Sequence, residues 1–174
     1  MASPVEGTMK KDRRQRRAAA DRRWLRAAIS VAREHMKSGR CGPFGAIVTK
    51  NNRMVGVGWN RVVAAGDPTA HAEIVALRGA ARTLNSFRLS GCVLYSSCEP
   101  CPMCLGAAYW ARVERVVYGA DRFDAAAAGF DDAEIYQEYQ RGTARTRLPV
   151  RQMLHREARL VLRDWKGLKC RVMY

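Results

Sequence analysis

Apolar positions along the chain switch between a helical period and runs too short for a helix. From Asp21 onward, Trp24, Ala28, Val31 and His35 lie on one helical line, with Leu25, Ile29, Ala32 and Met36 beside it, and Ser38-Gly39 stops the pattern. His35 on that stripe reads as packing rather than as a ligand. Residues 1–18 show no apolar period and predict a basic, loose tail. Gly42-Pro43-Phe44-Gly45 reads as a tight turn into a short buried strand over 46–49. Asn51-Asn52-Arg53 then turns the chain, and residues 54–59 return as the hairpin partner. A helix follows Asp67 and carries Ile74, Val75, Leu77 and Leu84 inward. Further along come a strand over 92–95, a helix over 101–110 and a strand over 115–119. A small, turn-prone stretch leads to a helix containing Ile135 and Tyr139. A last strand is expected near 148–153 and an amphipathic helix near 155–165. Strands joined by helical crossovers require a mixed or parallel sheet. The pattern predicts an α/β chain: a tail over 1–18, then one three-layer α/β/α domain over 19–174 with about five strands.

Composition narrows this picture. A chain of 174 residues can bury a real core without staples. Six cysteines, Cys41, Cys92, Cys98, Cys101, Cys104 and Cys170, come without the apolar leader of a secreted protein or a run long enough to span a bilayer. The expectation is a cytoplasmic, reducing setting with no membrane partner and no structural disulfide. The net charge is +15, and residues 1–40 hold twelve Lys or Arg against four acids. Such a run could grip phosphates. A solvated tail and helix face is the other reading, since blocks of like charge usually stay in solvent. Arg outnumbers Lys 25 to 6 over the whole chain, which suits a general coding bias.

The chemistry lies between Asp67 and Cys104. Asp67-Pro68-Thr69-Ala70-His71-Ala72-Glu73 opens the stretch and Pro100-Cys101-Pro102-Met103-Cys104 closes it. One imidazole and two thiolates are the nitrogen and sulfur donors that zinc prefers, and three protein ligands leave a fourth position open for water. The prediction is one catalytic zinc per subunit, held by His71, Cys101 and Cys104, with a bound water or hydroxide. Glu73 is then the proton carrier. Residues i and i+2 diverge in mid-helix, so His71 and Glu73 must sit at a helix start. Asp67 as N-cap with Pro68 behind it predicts that start, and Pro100 predicts a second one before Cys101. Cys98 lies outside the spacing and reads as a buried, inert thiol. Asn60, at the end of a strand, could read a substrate's hydrogen-bonding edge; a turn residue is the alternative.

His-x-Glu followed by Pro-Cys-x-x-Cys is the signature of the zinc-dependent nucleobase deaminases. The chain resembles the cytidine deaminase superfold and, within it, the small bacterial guanine deaminases. Gly42-Pro43-Phe44-Gly45-Ala46, the run from Cys98 to Ala107, Tyr109-Trp110-Ala111-Arg112 and Ala128-Gly129-Phe130-Asp131-Asp132 carry that resemblance. It implies hydrolysis of guanine to xanthine and ammonia, with Glu73 moving protons and Asn60 binding the purine. Phe44 and Trp110 would wall the pocket, and Asp132 would serve the exocyclic amine. Asp132 could equally cap the next helix, as could Asp131. The resemblance further implies a homodimer in which residues 155–174 cross to the neighbour and Tyr174 closes its site. The alternatives are a transfer-RNA adenosine deaminase, with the basic N-terminal region on nucleic acid, and a deaminase of guanosine, cytosine or an aminated triazine.

Overall fold

The computed structural model describes residues 4–142 and 147–172. Four strands form one sheet in the order β2-β1-β3-β4, with β1 (Gly45–Lys50), β2 (Arg53–Trp59), β3 (Cys92–Cys98) and β4 (Arg115–Ala120). β1 runs antiparallel to β2 and β3, while β4 is parallel to β3. β1 and β2 meet through a two-residue loop in which Asn51 and Asn52 both have positive φ, 51° and 59°. This matches the twist of a hairpin, and asparagine tolerates that backbone.

Alternation along the central strands sends side chains to two different layers. Ile47 and Tyr95 meet Trp24 and Ala28 of α1 (Pro4–His35) on one face. Ala46, Val48 and Leu94 meet α3 (Ala72–Thr83) and α4 (Pro102–Trp110) on the other. Between β2 and α3 lies only the short α2 (Val62–Ala65). The layers approach closely because glycine faces each helix: a Cβ on Gly45 would strike the backbone of Ala28 and Ala32. α1 is further anchored by Asp21, which accepts a bidentate pair from Arg115 of β4 and a hydroxyl hydrogen bond from Tyr95 of β3.

Two expectations change. α1 is one helix from Pro4, running through most of the stretch expected to be loose. Alanines 18–20 and the many arginines favour helix, and Asp12 pairs with Arg16 one turn on. The fifth strand is absent among the described residues. Residues 148–153 carry no regular structure, and Pro149 removes a ladder donor there. The chain instead adds α5 (Arg122–Ala127), α6 (Asp132–Gln140) and α7 (His155–Gly167). Among the described residues no helix is long and apolar enough to cross a membrane.

Candidate active site

Two helix starts meet beyond the C-terminal end of β3. His71 is the N-cap of α3 and Cys101 the N-cap of α4, both extended (ψ 155° and 167°), with Pro102 in the first turn of α4. Asp67 does not open α3 as expected. Its carboxylate accepts from the backbone N–H and hydroxyl of Thr69, closing a turn that delivers His71 to the cap position. Cys104 follows Cys101 by one helical turn. The ligand atoms of His71, Cys101 and Cys104 all lie within 4.8 Å of one another. His71 Nδ1 and Cys101 Sγ are 3.6 Å apart. A tetrahedral zinc with bonds of about 2.0 Å to nitrogen and 2.3 Å to sulfur spans edges of roughly 3.5 Å, so this donor set fits the ion. A hydrogen bond from Cys104 and the neighbouring His71 lower the Cys101 thiol despite burial, while the same pairing and burial raise that of Cys104.

Glu73 is 5% exposed and sits in the first turn of α3. Its Oε1 accepts a 2.9 Å hydrogen bond from the buried hydroxyl of Ser96, and its Oε2 lies 3.5 Å from Cys104 Sγ. Burial pushes its carboxyl above the usual range, only partly offset by its hydrogen bonds from the backbone and Ser96. A carboxyl raised in this way is better able to hold a proton and hand it on.

A small cavity opens over these groups, lined by Phe44, Asn60, His71, Glu73, Glu99, Cys101, Phe130 and Asp132. Asn60 Oδ1 faces the backbone N–H groups of Val62 and Gly42 at 3.3 and 3.4 Å, which leaves its NH2 to donate. Phe44 packs edge-on against Phe130, with ring centroids 4.7 Å apart. Asp132 is the first residue of α6, and burial followed by the nearby Cys101 raises its carboxyl. Asp131 holds the N-cap position without a side-chain capping bond.

The fold thus gathers seven of the nine expected site residues. Trp110 does not join them: it ends α4, about 13.5 Å along the helix axis from Cys101 at 1.5 Å per residue. It is 62% exposed on another face of the domain. Tyr174 lies outside the described residues. Cys98 is not among the ligand group; its thiol faces the Asp121 carbonyl at 3.5 Å, and burial pushes it up to about 11. Three contributors carry no role in the sequence reading. Phe130 lines the cavity, Glu99 does so while bound to Arg122, and Ser96 fixes Glu73. A polar Ser96-Ser97 ending an otherwise apolar strand is the one sequence signal that could have flagged Ser96.

Residues 18–120 match the family described as the cytidine and deoxycytidylate deaminase zinc-binding region. The chain is 43% identical to the guanine deaminase of Bacillus subtilis over 144 residues, covering 83% of this chain and 92% of that protein. The X-ray structure of the guanine deaminase from B. subtilis superposes with a TM-score of 0.83 at 41% identity, over 88% of this chain and 98% of the other. A transfer-RNA-specific adenosine deaminase of Haemophilus influenzae is 38% identical over 125 residues, covering 68% of this chain and 72% of that one.

Proposed function

The chain belongs to the cytidine and deoxycytidylate deaminase family of zinc-binding hydrolases, and from that premise we propose that it hydrolyses guanine to xanthine and ammonia in purine breakdown. The observation that carries the reading is the buried Glu73 carboxylate beside the converging His71, Cys101 and Cys104. The extent of similarity favours guanine over a transfer RNA. It spans 92% of the guanine deaminase, against 72% of the adenosine deaminase. The carboxylates of Glu99 and Asp132 in the cavity lining also suit a neutral base better than a phosphate backbone.

His71, Cys101 and Cys104 would hold one zinc per subunit, which when bound supplies Lewis-acid chemistry and brings the pKa of water to about 7. Glu73 would take a proton from the attacking water and pass it to ring N3, making C2 of guanine electrophilic. Ser96 keeps Oε1 of that carboxylate oriented during both transfers. Asn60 would donate its NH2 to the purine edge, and the Phe44 and Phe130 rings would flank the base. Asp132 would hold the proton that the departing amine needs, so that water and guanine leave as xanthine and ammonia.

In this reading two copies form a homodimer and the segment from α7 onward is exchanged. Val161, Leu162 and Trp165 share one face of α7, with Leu154 and Leu168 at its two caps, and each is more than a third exposed in the single chain. A second copy would cover that face, and Tyr174 would then close the neighbour's cavity. The deciding experiment offers guanine, guanosine, cytosine and an adenosine-bearing anticodon RNA to the purified zinc-loaded protein and measures the ammonia released. Release from guanine alone supports the reading; release from RNA alone sinks it.

A further inference from the structure

We propose that Tyr136 and Arg122 are positioning residues that hold Asp132 over the site. This role rests on the reading of Asp132 as the second proton carrier. α6 carries Asp132 in its first turn, yet no residue of α6 is more than partly buried. Apolar packing alone therefore does not fix where that carboxylate stands, and polar ties must do so. Tyr136 lies four residues beyond Asp132, on the same face of the helix. Its hydroxyl donates a 2.7 Å hydrogen bond to the carbonyl of Pro100, the residue before Cys101. One α6 side chain thereby grips the loop that supplies a metal ligand.

The ring of Tyr136 is held in turn. The Arg122 guanidinium lies 3.7 Å from its centroid, a close cation–π contact. Arg122 is itself locked on Glu99: its Nε and backbone N–H donate to Oε2 at 3.0 and 3.1 Å, and its Nη2 pairs with Oε1. Both oxygens of Glu99 are thus engaged, so this cavity carboxylate acts as an anchor while Asp132 is left for proton transfer. Arg122 is also the first residue of α5, whose start is fixed by a capping box between Asp121 and Asp124. The ties run from Glu99 through Arg122 to Tyr136, one helical turn from Asp132. The two groups gripped, Glu99 and Pro100, both precede Cys101, so the clamp couples α6 to the ligand loop.

The test uses the zinc-loaded full chain and the variants Tyr136→Phe and Arg122→Gln. Tyr136→Phe keeps the ring and loses only the hydroxyl, so it carries the test if Arg122→Gln fails to fold. With guanine, kcat should fall about five- to twentyfold in either variant, with KM nearly unchanged and zinc content intact. In an Asp132→Asn background the same changes should cost nothing further, because a clamp has no function without the group it places. Full additivity in that cycle would overturn the proposal. Amide hydrogen exchange over α6, measured without substrate, should quicken in both variants; unchanged protection would also overturn it. This second readout holds even if guanine proves not to be the substrate, so the two readings can fail separately.

Discussion

The Ser96 hydroxyl donates to Oε1 of Glu73 across 2.9 Å, joining the C-terminal part of β3 to the first turn of α3. Both residues are buried, at 1% and 5% exposure, so water offers neither a ready substitute partner. The tie therefore fixes the direction of the carboxylate and offsets part of the rise that burial imposes on it.

Replacing Ser96 by Ala should lower kcat for guanine about tenfold, the equivalent of one charge-assisted hydrogen bond of roughly 1.5 kcal/mol. Zinc content should not change, because the Ser96 hydroxyl bonds to Glu73 rather than to a ligand. The pH–rate profile gives a second check. Without the donor, the already raised Glu73 carboxyl rises further, and the limb of the profile it controls moves to higher pH. An unmoved limb with an unchanged rate would mean the tie is merely structural.

Glu73→Gln should be far more severe. The amide fills the same space and still accepts from Ser96, so the fold and the bound zinc should persist. Turnover should drop by about 10² to 10⁴, the usual worth of a general acid–base group. Metal analysis and ammonia release on the same preparation decide the matter, and appreciable activity would remove Glu73 from the proton path.

Gly58 of β2 faces the start of α3, where a Cβ would strike the carbonyl of Ala72 and the N–H of Ala76. Gly58→Ala should destabilise the protein by about 1–3 kcal/mol as the helix is forced outward. α3 also carries His71 and Glu73, so zinc should dissociate faster than from the wild type. Chelator-competition rates and a melting curve read the two effects together. A stability loss with unaltered zinc release would mean that the helix start holds still while its body moves.

Much of this arrangement is legible in the chain. His71, Glu73, Cys101 and Cys104 announce themselves because the spacing of ligands around one metal is a local property of two helix starts. His35 reads correctly as packing, since it stacks on Trp59 with ring centroids 3.7 Å apart. Less visible are features set by how distant segments meet. Phe130 and Glu99 reach the cavity only because the α5–α6 connection and the β3–α4 loop fold over it. Trp110 lies within the same motif-rich run as the cysteines, but the length of α4 carries it away from them. Asp67 followed by Pro68 mimics a helix cap, and only the path of the chain shows that it closes a turn at Thr69, two residues short of His71. Ala18 to Ala20 and the arginines before them read as a tail by charge and as a helix by propensity, and in the structure propensity prevails.

Asp21 supplies the last prediction. Burial alone would raise its carboxyl, but the hydrogen bonds from Arg115 and Tyr95 outweigh it and hold the group below the usual range. A group with a depressed folded pKa stabilises the protein above its unfolded value, about 3.9, and loses that contribution as pH falls through the folded value. Burial, with Asp21 beside it, pushes Tyr95 up to about 12, so its hydroxyl remains a donor throughout this range. Asp21→Asn removes the charge, leaves the Arg115 guanidinium uncompensated and should cost about 1–3 kcal/mol at pH 7. The side chains of the pair are 20% and 24% exposed, which places the expected value toward the lower end. The gap in melting temperature between wild type and variant should be widest at neutral pH, start to narrow below about pH 5 and close below the folded pKa of Asp21. Guanine turnover at pH 7 should be nearly the same in both, since the Asp21–Arg115 pair lies toward the opposite end of the sheet from the zinc ligands. A gap that stays constant down to pH 3 would show that the carboxylate's charge contributes nothing to holding α1 on the sheet.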